Sequence, residues 1–355
     1  MKHSSLRRAL LASGARALAT LATMASAVSV VSIASIALLA APASAADQIA
    51  FATNWKAEAE HGGFYQAVAD GTYAKYGLEV TIRPGGPQIN EQALLTEGKV
   101  EFAMAGNLLH AFNAVNEGIP IRIVSATMQK DPQVILTHPG VGLDTWESLR
   151  NATMLISRGG VVSFYQWMVA EHGFKESQVK PYTFNPAPFL ADKKAAQQGY
   201  VTAEPYAIEK QGGFKPNIFL LADHGYDTYA TVIETTQQMI DTRPDVVQRF
   251  VDASTIGWYN YLYGDNKAAN ALIKKDNPEM DDAQIAFTIQ KMKEDGIIDS
   301  GDTLKLGIGA MSDARIKSFF DRMVKAKLQK ADLDYKKAYT LRFVNKGVGL
   351  NLRKP

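Results

Sequence analysis

The chain has no cysteine in its 355 residues. That absence excludes disulfides, thiolate-bound zinc, iron–sulfur clusters, cysteine nucleophiles and a lipid-bearing cysteine at a processed N-terminus. An excess of charge of one sign is also missing. There are 38 Lys and Arg against 36 Asp and Glu, a formal net charge of +2, so nothing favours nucleic acid or an anionic membrane as a partner. The six histidines are scattered. No Gly-x-Ser-x-Gly elbow, His-Glu-x-x-His pair, Gly-Lys-Ser/Thr phosphate loop or paired-acid motif occurs, so no catalytic or metal constellation can be read, and neither a cofactor nor a metal is expected.

Long apolar runs are scarce as well. The single one, residues 17–41, follows Lys2, Arg7, Arg8 and Arg16 and precedes Ala43-Ser44-Ala45. Basic start, apolar middle and small-residue site make residues 1–45 a signal peptide. A membrane anchor is the alternative, since the run is long enough to span. The expected mature chain is exported and soluble.

With 46% hydrophobic and 21% charged residues, the remainder has ordinary globular composition and is long enough for two domains. Short apolar runs at 49–52, 78–83, 100–105 and 119–126 alternate with helical patterns at 64–76, 91–97 and 108–116. Strand–helix–strand alternation with short connections predicts a parallel, doubly wound sheet. A run at 133–137 follows, and then a second alternating unit. Its strands are expected at 154–157, 181–184, 200–203 and 217–221, and its helices at 161–172, 188–198 and 204–211. A strand at 228–234 leads back to helices at 244–263, 267–274, 281–294 and 312–329. The expected fold is therefore α/β and bilobed, with two sheets joined by crossing strands at 133–137 and 228–234 that act as a hinge. The expected division is lobe 1 over 46–137, lobe 2 over 138–227, and a C-terminal part over 228–355 returning to lobe 1.

Residues 53–67 read T-N-W-K-A-E-A-E-H-G-G-F-Y-Q-A. A strand that ends in polar, aromatic and glycine residues and turns into a helix is where open α/β sheets bind ligands. This stretch, with Lys75-Tyr76-Gly77-Leu78, Glu97-Gly98-Lys99-Val100 and Glu204-Pro205-Tyr206, resembles the periplasmic solute-binding proteins of ABC importers for nitrate, sulfonates and thiamine-precursor pyrimidines. The Glu60-His61-Gly62-Gly63-Phe64-Tyr65 piece is similar to the subgroup that binds pyrimidines, whose pattern is N-H-T-G-[FL]-Y; here Glu60 replaces Asn and Gly62 replaces Thr. The resemblance implies a type II periplasmic binding fold and a periplasmic, monomeric receptor. Such a receptor closes on a small aromatic heterocycle and hands it to an inner-membrane permease. It also leaves open a receptor for a sulfonate, nitrate or aromatic carboxylate. Eukaryotic pyrimidine synthases share the subgroup's fold but carry a cysteine-rich segment, which a cysteine-free chain cannot supply, so no enzyme is expected.

If the strand ends line the cleft, Asn54, Trp55 and His61 follow the first strand, Gly86 the second, and Gly106 and Asn107 the third. Ser157, Arg158 and Gly159 follow the strand at 154–157, and Glu204 follows 200–203; Tyr165 is added as a neighbouring aromatic. Trp55 offers a stacking face, or else packs under the helix. His61 reads as a hydrogen-bond partner to a ring nitrogen, a structural residue or a metal ligand beside Glu58 and Glu60. Glu204 reads as an acceptor for a ring amine or as an acid at a helix start. Asn107 reads as a donor or an N-cap. Ser157-Arg158-Gly159-Gly160 reads as an anion site or as a turn with a solvated arginine. The aromatics of 250–263 fall on one helix face and are expected in the core.

Overall fold

Strand β1, Asp47–Ala52, places Ile49 and Phe51 on one face and becomes a central strand of the first sheet. The structure is a computed structural model that describes residues 45–86, 88–183 and 185–354. The leader segment, apart from Ala45, lies outside the described residues, as do Pro87 of the turn after the second strand and Phe184 of the strand expected at 181–184. From Ala45 onward the chain forms one compact unit.

The first sheet contains β1, β2 (Leu78–Arg83), β3 (Phe102–Asn107) and β4 (Ile121–Met128). The second contains β5 (Gln133–Thr137), β6 (Thr153–Ile156), β7 (Val179–Pro181), β8 (Ala195–Tyr200) and β9 (Asn217–Leu220). The last strand, β10 (Ala230–Thr236), returns to the first sheet. The strand orders are β2-β1-β3-β10-β4 and β7-β6-β8-β5-β9. In each sheet the strand that has just crossed from the other lobe occupies the fourth place and runs antiparallel to both neighbours. The sheets are thus mixed rather than wholly parallel, because a chain entering from the opposite lobe runs against the local strands. β5 is bonded into the second sheet, so the first crossing lies at 129–132 and not after 137.

Helices cover the sheets. In lobe 1 they are α1 (Gly62–Ala69), α2 (Thr72–Lys75), α3 (Glu91–Thr96) and α4 (Leu108–Asn116). In lobe 2 they are α5 (Arg158–Val161), α6 (Phe164–His172), α7 (Ala187–Ala191) and α8 (Glu204–Gly212). After β10 come α9 (Gln237–Thr242), α10 (Pro244–Tyr263), α11 (Lys267–Asp276), α12 (Asp282–Glu294), α13 (Thr303–Leu306) and α14 (Asp313–Lys325).

α10 begins with Pro244 at N1 and Asp245 in its first turn, both suited to a helix N-terminus. Its Phe250, Trp258, Tyr259 and Tyr261 are buried. The Phe250 ring stacks on Phe102 at 4.0 Å and meets Phe51 at 5.4 Å, tying the helix to the first sheet. Full burial of one such ring is worth about 1.5–3 kcal/mol. α1 lies across α10 at glycine contacts. A Cβ on Gly63 would sit 2.2 Å from the Trp258 ring, and one on Gly257 would sit 2.3 Å from the Gly63 carbonyl oxygen. The two glycines after His61 therefore set helix packing.

Several helical expectations differ from the structure: that at 161–172 is interrupted at Val162-Ser163 between α5 and α6, and that at 312–329 ends at Lys325. The pattern at 64–76 is broken at Gly71, whose φ of 71° splits it into α1 and α2. The pattern at 188–198 is helical only to Ala191; Asp192-Lys193-Lys194 turn at the surface and Ala195–Tyr200 is strand. β8 sits between β6 and β5, and that double pairing outweighs the helical preference of Ala and Gln. Residues 201–203, expected as strand, form the turn into α8.

Candidate functional site

The carboxyl ends of the first-sheet strands face those of the second across a cleft enclosing about 850 Å³, open mouth included. Thr53 Oγ1 donates to the Trp55 carbonyl at 2.8 Å, and Gly85 N–H donates to the same oxygen at 3.0 Å. These bonds shape the loop that presents Asn54 and Trp55. Trp55 is half-buried and stacks 6.2 Å from Tyr182 of lobe 2, the ring planes 26° apart. A single 3₁₀ turn, Ala59–His61, then carries Glu60 and His61 inward.

Of the residues expected in the site, Asn54, Trp55, His61, Gly86, Gly106, Asn107, Ser157, Gly159 and Glu204 line this one cleft. Arg158 and Tyr165 are not brought there. The Arg158 side chain is exposed and absent from the lining, although its charge is near enough to Glu91 to oppose the rise of that acid. Tyr165 is 2% exposed, packs edge-on against Phe174 and donates its hydroxyl to the Lys175 carbonyl at 2.8 Å. It holds the end of α6.

Several lining residues do structural work too. Asn107 caps α4 by accepting from Leu109 N–H at 3.1 Å. Ser157 caps α5 by accepting from Gly160 N–H at 3.3 Å, and its own N–H donates to Gln198 Oε1 at 2.6 Å. Two backbone donors of the expected anion loop are therefore engaged within the protein. Glu204, half-buried at the first turn of α8, accepts from Tyr200 N–H at 2.7 Å and from the Tyr182 hydroxyl at 3.5 Å.

Glu58, read only as a possible metal ligand beside His61, also lines the cleft, and much of the remaining lining was not anticipated: Glu91, His110, Asp131, Gln133, Gln198, Tyr200 and Thr231 among others. Gln198 was hidden by the helical reading of β8. His110 lies one turn into α4, with its ring against Gly106. Asp131, Gln133 and Thr231 sit where the chain crosses between lobes, and nothing in the local pattern marks a crossing residue as ligand-facing. Thr231 has φ 49°, an unusual conformation for a β-branched residue; such strain costs about 1–3 kcal/mol and gathers at functional sites.

The electrostatics are one-sided. Glu58, Glu91, Asp131 and Glu204 line the cleft, and no Lys or Arg does among the described residues. Glu60 stands directly behind, accepting from Thr202 Oγ1 of lobe 2 at 2.6 Å. Burial raises Glu58 well above the usual carboxyl range, with Glu60 and Glu204 adding repulsion. Loss of hydration moves Glu60, Glu91, Asp131 and Glu204 each up to about 7. It moves His61 down to about 3 and His110 down to about 4, so both imidazoles are neutral. His61 Nδ1, His110 Nδ1 and Glu60 Oε2 are buried atoms with no hydrogen-bond partner in the protein. Among the described residues no group of three His, Asp or Glu side chains is arranged to hold a metal ion. The cleft presents acceptors and aromatic faces, a surface complementary to a planar molecule rich in N–H or O–H donors.

Known proteins share this architecture. The chain is 26% identical over 320 residues to the riboflavin-binding protein RibY of Chloroflexus aurantiacus, covering 86% of this chain and 90% of that one. The fold matches the periplasmic aliphatic sulphonate-binding protein SsuA of Escherichia coli with a TM-score of 0.58 at 14% identity, covering 82% of this chain and 91% of that one. It also matches the desulfurization enzyme DSZB with a TM-score of 0.52 at 12% identity, over 84% and 97% of the two chains. One fold thus carries both receptors and catalysts, and function has to be argued from the site. The sequence pattern of the NMT1/THI5-like family matches residues 58–269, and the chain belongs to that family.

Proposed function

We propose that the protein is the solute-binding receptor of an ABC importer, exported to the periplasm, and that its ligand is a small aromatic heterocycle rich in N–H donors. A thiamine-type aminopyrimidine and a flavin are the leading candidates. One observation carries this reading: the strand ends of both sheets meet at a cleft lined by carboxylates, neutral imidazoles and the Trp55 ring, which stacks on Tyr182, with no Lys or Arg among the described residues. Family membership supports the receptor class, and the relative named for riboflavin supports a heterocycle. Lobe closure about the two crossings would bury such a ligand between Trp55 and the lobe 2 wall.

The cleft disfavours the anionic alternative. An anion entering it would meet Glu58, Glu91, Asp131 and Glu204. Those acids repel an anion to the extent that they are ionised and offer it no positive charge when protonated, and Arg158 is absent from the lining.

A thermal-shift and calorimetric panel tests the proposal. Riboflavin and 4-aminopyrimidine stand for the heterocycles, and ethanesulfonate and nitrate for the anions. A heterocycle present at about 100 times its Kd should add about 2.7 kcal/mol of stability. Stabilisation by the anions alone would overturn the ligand class, and turnover of a bound heterocycle by the purified protein would overturn the receptor assignment.

A further inference from the structure

Two cavities meet at one wall. Beyond the main cleft lies an outer cavity of about 1220 Å³, open mouth included, and both are lined by Glu58, Ala203 and Glu204. Glu60 lines the outer one. Three carboxylates thus converge from the two lobes, Glu58 and Glu60 from the turn after β1 and Glu204 from α8.

No lysine or arginine forms an ion pair or hydrogen bond with any of the three among the described residues. Lys56, which also lines the outer cavity, pairs with Glu279 at 2.8 Å. The nearest basic contact is His61 Nε2, 3.7 Å from Glu58 Oε1, and burial keeps that imidazole neutral. Two further observations mark the wall as unfinished. Glu60 is 1% exposed and its Oε2 has no partner; His61 is 2% exposed and its Nδ1 has none. Buried polar atoms are ordinarily paired, and gathered carboxylates repel unless a positive charge or protons join them.

We propose that this wall seats a cationic nitrogen group of the ligand, an amidinium or ammonium attached to the ring that lies in the main cleft. This deepens the receptor reading above and rests on it. A planar N–H fork suits the wall, since Glu204 faces the cleft while Glu60 Oε2 still lacks a donor. A divalent metal suits it poorly, because the described residues hold no group with metal-ligating geometry. With the cation in place, lobe closure brings the carboxylates onto a positive charge instead of onto one another. Thr202, bonded to Glu60 across the lobes, fixes the carboxylate that receives it.

The test is a charge series at constant shape: benzamidine, benzamide and benzoate, titrated calorimetrically into the wild type and into Glu60→Gln. The glutamine keeps an acceptor for Thr202 Oγ1 and removes the charge. Benzamidine should bind about tenfold or more tighter than benzamide, and benzoate weakest, as expected for a charge-assisted pair. In Glu60→Gln the preference should shrink to about threefold or less. Equal binding of benzamide and benzamidine, failure of benzamidine to bind, or a preference unchanged in Glu60→Gln would each overturn the proposal. Riboflavin or 4-aminopyrimidine binding without such a preference would sink the cation seat and leave the receptor standing. If no heterocycle binds either, the receptor reading fails with it. Should Glu60→Gln not fold, the wild-type series alone decides.

Discussion

Trp55 and Tyr165 are both aromatics near strand ends, and the sequence treats them alike. The structure separates them. Trp55 is half-buried on the cleft and stacks on Tyr182, whereas Tyr165 is buried with its hydroxyl engaged by the Lys175 carbonyl. Strand-end logic located Trp55 because its backbone follows directly from β1. It misplaced Tyr165, which lies a full helical turn beyond the Ser157 loop. The same logic named Glu204 and passed over Glu91 and Asp131, because an acid at a loop or helix start reads as solvated until another lobe closes over it. Substituting Trp55 by Ala should therefore lower affinity for a heterocycle about tenfold, the upper end of an aromatic stacking term near 1.5 kcal/mol. The melting temperature of the empty protein should change little, since the ring is only half-buried. Calorimetric titration of the variant checks this, and undiminished affinity would remove the ring from the ligand contacts.

At the scale of elements, α10 was legible over its full length. Its proline start, aromatic face and glycine stop are all local signals. β8 was not, because Ala and Gln favour a helix in isolation and only pairing to β6 and β5 makes the segment extended. The His61-Gly62-Gly63 piece was recognised for the wrong reason in part. His61 does face the cleft, but the glycines serve the α1–α10 contact, which involves a helix almost two hundred residues away and leaves no trace at 62–63. Gly63→Ala should therefore be costly although it improves helix propensity. Its Cβ would lie 2.2 Å from the Trp258 ring, and overpacking of this kind costs about 3 kcal/mol. Urea denaturation should show that loss. Wild-type stability in this variant would mean that α1 and α10 sit further apart than described.

For the whole molecule, the two lobes and their exchange of strands were readable from the alternation of elements, while the charge of the space between them was not. The acids that converge there come from separate places: Glu58 and Glu60 after β1, Glu91 at the start of α3, Asp131 in the first crossing and Glu204 on α8, while Glu234 of β10 is buried in the first sheet outside both linings. Each is raised, chiefly by burial. Glu58 and Glu204 also feel Glu60, and Asp131 feels Asp227 with Arg315 opposing. Glu234, up to about 8, feels Glu91, whose own rise Arg158 opposes.

A carboxyl raised in the folded chain keeps a proton that the unfolded chain has already released. Its contribution is complete below the unfolded value near 4 and is lost as pH climbs through the folded values of about 7 to 8. The buried histidines act oppositely. His61 and His110, lowered to about 3 and 4, reduce stability as pH falls through the unfolded imidazole value of about 6.5, an effect that fades within about a unit above it. Above about pH 6.5 the carboxyls therefore dominate, the residual imidazole titration opposing them only weakly. Urea unfolding of the empty protein should show stability falling from about pH 6.5 to about pH 8.5 by at least about 1 kcal/mol, less than one group shifted by a single pK unit would give. A flat or rising profile over that window would mean that the cleft acids are hydrated, that the lobes rest apart when empty, and that the cleft closes only around its ligand.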